Sequence, residues 1–196
     1  WLISLAVFVA AFIRGALGFA LALFLPSPFL LLLLPPKQVV VTDISLSIIS
    51  NLFNIFMMMR TFERNIKSKI LLPLMGGCLL GMPVGAYLLS IINASLFKIF
   101  IGFIIVIFAV LLFLGIVIFP KRYAMISIFS GFLSGFLTTS TSMGGPPVVL
   151  FLHGQRLSKE AIYCTQVVYW LYMLIFSLLI LLIGGVIHIN MIYASL

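Results

Sequence analysis

The sequence predicts an all-α polytopic membrane protein, and three observations support this fold class. Of the 196 residues, 64% are hydrophobic and only 7% are charged, whereas an average soluble domain is about 25% charged. The mean hydropathy is +1.39. The apolar residues are gathered in runs long enough for membrane helices, which need about 20 residues each, and glycine or proline interrupts two of these runs.

Six apolar segments are present, and a seventh starts near residue 190. They cover about residues 2–34, 38–59, 70–92, 96–119, 124–152 and 160–183. At about 1.5 Å per residue, a straight helix over the first or the fifth would exceed ~40 Å, against a hydrocarbon core of about 30 Å. We therefore expect both to bend, unwind or re-enter, the first at Pro26 and Pro28 and the fifth at Pro146 and Pro147.

The chain repeats itself at an offset of 120 positions, which places Phe12 on Phe132, Gly15 on Gly135 and Pro26 on Pro146. The repeat predicts two halves, residues 1–119 and residues 124–196, each opening with a broken segment. We expect four segments in each half of the full protein, so about two spans would lie beyond residue 196. Broken segments that cross fully would make the halves parallel repeats, and re-entrant ones would make them inverted; both remain open.

The basic residues give a net charge of +8, but they do not predict a nucleic-acid partner. They lie in short gaps between the apolar runs, as the positive-inside rule describes, rather than in a patch with interleaved aromatics. Six of them lie in the gaps at 60–69 and 120–123 and four on the opposite side. This bias predicts that the 60–69 loop is cytoplasmic, in a multi-pass protein of the plasma (inner) membrane.

The fifth segment contains the stretch LTTSTSMGGPPVVLFL, residues 137–152. Unwound backbone at membrane depth survives only inside protein or beside a water-filled cavity. A helix that restarts at the prolines would aim N–H groups with partial positive charge at such a cavity. We therefore predict a site for a small oxyanion at Thr138, Thr139, Ser140, Thr141, Ser142, Gly144, Gly145 and Pro146.

The alternative is a simple kink whose hydroxyls bond back to the preceding turn. We favour the site because the break occurs in both halves.

The second segment carries Asp43 on one helix face with Ser47, Ser50 and Asn54, and Asn51 lies beside this stripe. A carboxylate at the membrane centre costs about 2.5–3.5 kcal/mol, so Asp43 should pair or take up a proton. One interpretation makes Asp43 a proton-coupling carboxylate and Arg14 a ligand of the substrate anion. The other makes them a structural ion pair, or makes Asp43 a residue that offsets a helix dipole.

Other candidates come from the remaining segments. Gly15 and Gly18 belong to the first broken segment, and Gln166 shares a face with Tyr169, Trp170 and Met173, a stripe more typical of helix packing. The four-residue spacing of Gly77, Gly81 and Gly85 predicts a close-packing face for another helix. Cys78 and Cys164 both fall inside apolar segments and predict neither a disulfide framework nor a metal site, and we expect no metal and no cofactor.

At Gly131, Gly135, Gly144, Gly145 and Pro146 the chain resembles the TauE/SafE family of sulfite exporters, whose doubled unit opens on a glycine-rich segment followed by an apolar stretch with proline. The first copy keeps Gly15, Gly18 and Pro26, but FALA (residues 19–22) replaces its glycine cluster. The resemblance covers nearly the whole chain. It implies a transporter that exports sulfite, sulfonates or related small anions.

We therefore expect a transporter whose partners are a small anionic substrate and the lipid bilayer, with a homo-oligomer left open. The two broken segments would face each other near mid-membrane, and rocking of the halves would gate transport. The alternative is a channel or permease for a different small solute, such as a cation. We do not expect an enzyme, because the candidate nucleophiles Ser140 and Ser142 have no histidine at membrane depth. An assembly factor without transport is the remaining alternative.

Overall fold

The computed structural model describes residues 35–61, 66–114, 123–155 and 157–187, and these form six helices without a strand. The helices are α1 (Pro36–Thr61), α2 (Ser68–Ile91), α3 (Ala94–Phe113), α4 (Tyr123–Thr141), α5 (Gly145–His153) and α6 (Lys159–Ile183). All except the nine-residue α5 are long and apolar enough to cross a membrane. The described part of the chain is all-helical, and its five long apolar helices support a multi-pass membrane protein.

The helix ends follow from local sequence. Ser158 caps α6, where its hydroxyl accepts a hydrogen bond from the Ala161 N–H at 3.2 Å. Asn93 caps α3, where its side-chain oxygen accepts a hydrogen bond from the Leu96 N–H at 2.8 Å. Such caps satisfy N–H groups that a helix start leaves without partners. After α6 the chain enters the left-handed region at Gly185 (φ 63°), where glycine carries no steric cost.

Helices α2 and α4 pack with their backbones almost in contact. A Cβ on Gly77, Gly81 or Gly85 of α2 would overlap backbone carbonyls of α4, and a Cβ on Gly131 or Gly135 of α4 would overlap carbonyls of α2. We call these five glycines the glycine interface. The close-packing face predicted from Gly77, Gly81 and Gly85 is confirmed.

Two hydroxyls extend the glycine interface at both ends. The Ser127 hydroxyl donates to the Ile70 carbonyl at 3.1 Å, and the Thr139 hydroxyl donates to the Met82 carbonyl at 2.8 Å. Ser127, Gly131, Gly135 and Thr139 are spaced by four residues, so one face of α4 lies along α2 over three turns. This contact holds α4 in a fixed position up to the turn before it breaks.

Helix α6 packs on α1, α2 and α4. The Asn51 side-chain amide donates to the Val167 carbonyl at 3.1 Å, and the Tyr172 hydroxyl donates to the Met75 carbonyl at 3.3 Å. Ile104 and Phe108 of α3 pack on Leu137 and Leu150, whereas the other face of α3 exposes large apolar side chains such as Ile99 and Phe103. That face suits contact with lipid.

The observed helices agree with the second to sixth predicted segments to within about two residues at most ends. Helix α3 ends at Phe113, and the predicted end of its segment at residue 119 lies outside the described ranges, as do residues 115–122. The first predicted segment and the start of the seventh also lie outside them. The division into repeated halves, residues 1–119 and 124–196, therefore stays a prediction.

Candidate functional site at the broken helix

The fifth predicted segment breaks where its glycines and prolines lie. Helix α4 ends at Thr141, three residues follow without helical structure, and α5 begins at Gly145. Ser142 has a φ of 62°, and the chain then turns back on α4, so that the Gly144 carbonyl accepts a hydrogen bond from the Ser134 hydroxyl at 2.6 Å. A continuous helix would put Ser134 and Gly144 about 15 Å apart.

Every residue from 137 to 152 is buried. The unwound backbone is thus enclosed by protein, which is the condition for its survival at membrane depth. Gly144 is required by close approach, since a Cβ there would overlap the Thr138 hydroxyl and the Ser134 carbonyl. Pro146 and Pro147 lie in the first turn of α5, where a missing N–H and a fixed φ are tolerated.

The hydroxyls before the break face their own helix. Thr138, Ser140 and Thr141 each donate to the carbonyl four residues earlier, at 2.7, 2.7 and 2.8 Å. The Thr139 hydroxyl, which donates to Met82 of α2, also lies 3.0 Å from the Gly135 carbonyl of its own helix. This is the bonding pattern of the kink interpretation. Because a hydroxyl has a single proton, these four side chains present lone pairs rather than donors to the break.

Backbone amides are the remaining donors at the break. No backbone carbonyl in the described part of the chain accepts from the N–H of Met143 or Gly144. The N–H of Gly145, the first residue of α5, has no acceptor within its own helix, and Pro146 and Pro147 have no N–H at all. The start of α5 therefore offers a small set of amides with partial positive charge.

Asp43 lies against the break. The Ser142 hydroxyl donates to Asp43 Oδ2 at 2.5 Å, and both residues are buried, at 6% and 5% exposure. The structure thus joins two predicted site residues that lie 99 positions apart in sequence. Arg14, the partner predicted for Asp43, lies outside the described residues, as do Gly15 and Gly18.

Asn51 and Gln166 occupy the contact between α1 and α6. Asn51 donates to Val167, the residue after Gln166, and both predicted site residues are buried. Asn51 lies about 12 Å along α1 from Asp43. The Asn51–Val167 hydrogen bond therefore joins α1 to α6 at a different height along α1 from the contact between Asp43 and Ser142.

Sequence reasoning missed Ser134 and the position of Met173. Besides holding Gly144, the Ser134 hydroxyl lies 3.2 Å from the Met173 sulfur, and the Thr138 hydroxyl lies 2.9 Å from it. The spacing of Ser134 and Thr138 places both on one face of α4, which was the available signal. The stripe of Tyr169, Trp170 and Met173 is buried, in agreement with its interpretation as a packing face.

A cavity of about 250 Å³ lies elsewhere, where the start of α1 meets the end of α2. It is lined by Pro35, Pro36, Lys37, Gln38, Leu89, Ile92 and Ala94. It contains none of the predicted site residues, so the candidate site remains the break.

Comparison with known proteins gives one match. The family model described as "Sulfite exporter TauE/SafE" matches residues 3–196, and thus includes α1 to α6 and the break. No curated protein and no solved structure matches the chain.

Proposed function

The chain belongs to the TauE/SafE sulfite exporter family, a family of membrane transporters, and from this premise we propose that it moves a small sulfur oxyanion, such as sulfite or an organosulfonate, across the plasma membrane. The observation that carries the proposal is the buried break between α4 and α5. Its enclosed backbone amides suit an anion, because a helix start combines free N–H groups with a partial positive charge.

The proposed anion site is built around Gly144 and Gly145. Their N–H groups would donate to the substrate oxygens, and Pro146 would fix the start of α5. Hydroxyls of Thr138, Thr139, Ser140, Thr141 and Ser142 would join only after release from their present acceptors. Arg14, Gly15 and Gly18 from the first broken segment, with Asn51 and Gln166, complete the proposed set.

Asp43 is the proposed proton-coupling group. Its carboxylate touches Ser142, two residues before Gly144, so a substrate at the break would lie near its charge. Two unit negative charges about 6 Å apart repel by ~3 kcal/mol at an effective dielectric constant of about 20. Protonation of Asp43 would remove this repulsion, which would link proton uptake to anion binding.

A flux assay in proteoliposomes tests the anion specificity. We expect saturable flux of sulfite and no flux of a monovalent cation such as rubidium. The Gly144→Ala variant should lose sulfite flux, because its Cβ would enter the break beside Thr138, whereas Gly76→Ala, with open space around it, should transport like the wild type. Rubidium flux without sulfite flux would instead support the alternative of a channel or permease for another solute.

A further inference from the structure

The proposed anion site has few side-chain donors. Thr138, Ser140 and Thr141 donate their hydroxyl protons to carbonyls of α4. Thr139 donates its proton to the Met82 carbonyl of α2, and Ser142 donates its proton to Asp43. Since each hydroxyl has a single proton, this run of hydroxyls has no free donor, and a further side-chain donor for an anion at the break would come from another helix. Helix α6 supplies a candidate that the predicted set did not contain.

That candidate is Tyr169. Its side chain is fully buried, and its hydroxyl makes no hydrogen bond with the residues that the structure describes. The Ser134 hydroxyl and the Cys78 thiol are its close side-chain neighbours, and neither contact has the geometry of a full hydrogen bond. Among the described residues, the Tyr169 hydroxyl thus has no well-placed acceptor for its proton.

The position of Tyr169 relates it to the break. Its neighbour Ser134 is the residue that donates to the Gly144 carbonyl, so the phenol lies one side chain away from the residue that precedes α5. Met173, one turn later on the same face of α6, contacts both Ser134 and Thr138. The face of α6 that carries Tyr169 and Met173 thus lies against the break.

We propose that the Tyr169 hydroxyl is a hydrogen-bond donor to the transported oxyanion. The inference rests on the proposed function and adds a residue that recognises the substrate. A buried hydroxyl without a partner destabilises the protein, and phenylalanine would fill the same space without that cost. The hydroxyl is favourable when a ligand accepts its proton, and a bond to a charged oxygen is the stronger kind.

The Tyr169→Phe variant tests the inference, with sulfite as the probe and the full chain purified in detergent. We expect its Kd for sulfite to rise by roughly tenfold or more, the effect of one lost hydrogen bond to a charged group. The thermal stability of the ligand-free variant should equal or exceed that of the wild type, because the change removes an unpaired buried polar group.

Tyr172→Phe is the matched control. Tyr172 lies one turn from Tyr169 on α6, and its hydroxyl already donates to the Met75 carbonyl. We expect this variant to lose some thermal stability and to keep the wild-type Kd for sulfite. Near-ultraviolet absorption tests the inference in proteins that keep Tyr169. Addition of sulfite should shift the tyrosine absorption band to longer wavelength in the wild type and in Tyr172→Phe.

Different results separate this inference from the proposed function. A wild-type protein that binds sulfite with the same Kd as Tyr169→Phe, or that shows no tyrosine shift, overturns the inference alone. A Tyr169→Phe variant that loses stability but keeps its affinity shows a structural role and also overturns it. A wild-type protein that binds no sulfite contradicts the proposed function and the inference together.

Discussion

At the scale of single residues, the main finding is the contact between Asp43 and Ser142. It joins a buried carboxylate of α1 to a serine in the left-handed region, at the point where α4 breaks. A non-glycine residue in that region is unfavourable by about 1–2 kcal/mol, and a hydrogen bond to a charged group stabilises the folded protein by ~1.5–3 kcal/mol. The carboxylate can therefore hold the break in this conformation.

Asp43→Asn separates the charge of this side chain from its shape. The amide oxygen can still accept from Ser142, so the fold should be retained, but the side chain no longer takes up a proton. We expect transport of an organosulfonate, whose own charge does not change between about pH 5 and pH 8, to lose in Asp43→Asn the pH dependence of the wild type, measured as initial rates in proteoliposomes over that range.

Ser142→Ala is the control for that experiment. It removes the donor and keeps the carboxylate, so the pH dependence should persist while stability falls by about 1–3 kcal/mol. Asp43→Asn transport with an unchanged pH profile would refute the proposed proton-coupling role.

The sequence shows which residues line the break but not what each one contacts. The hydroxyl run, the two glycines and the prolines were sufficient to predict a buried polar break. Whether Thr138 donates into the break or to its own helix depends on a competition between nearby acceptors, which residue order does not decide. Asp43 meets Ser142 through tertiary packing alone, and no spacing rule connects positions 99 residues apart.

At the scale of helices, the glycine interface fixes α4 against α2. A Cβ at Gly81 would overlap the Phe132 carbonyl and approach the Phe136 backbone. Backbone atoms in two packed helices cannot rotate away as a side chain can, so the helices would have to separate. The position of the break relative to α2 depends on this contact.

Gly81→Ala should therefore destabilise the protein by about 1–3 kcal/mol or more, the range for overpacked interiors. Gly76→Ala, five residues earlier on the same helix, meets nothing within 4 Å and should be neutral or slightly stabilising because alanine favours the helix. Thermal unfolding in detergent measures both variants. Equal unfolding temperatures for the two would show that α2 and α4 do not pack as closely as described.

Helix positions were predictable from the sequence, whereas the direction of the chain after the break was not. Runs of apolar residues and their polar gaps located the long helices, and glycine and proline located the break. The hydrogen bond from the Ser134 hydroxyl to the Gly144 carbonyl shows that the chain turns back at Ser142. Such a contact between residues ten positions apart has no periodic pattern in the sequence that would predict it.

At the scale of the whole molecule, the described helices enclose the break. Helix α6 contacts α1, α2 and α4, α3 covers Leu137 and Leu150, and α1 supplies Asp43. In a membrane transporter, such enclosure would keep a charged substrate away from lipid, where an unpaired charge is costly. We therefore expect the anion to bind at the enclosed start of α5.

Structure determination with bound selenite would show where the anion binds. Selenite is a pyramidal oxyanion like sulfite, and its selenium is located by anomalous scattering. We expect a selenium peak with oxygens in hydrogen-bond range of the Gly144 and Gly145 N–H groups and of the Tyr169 hydroxyl. A protein that transports selenite but holds it away from the α4–α5 break would not use the start of α5 as its anion site.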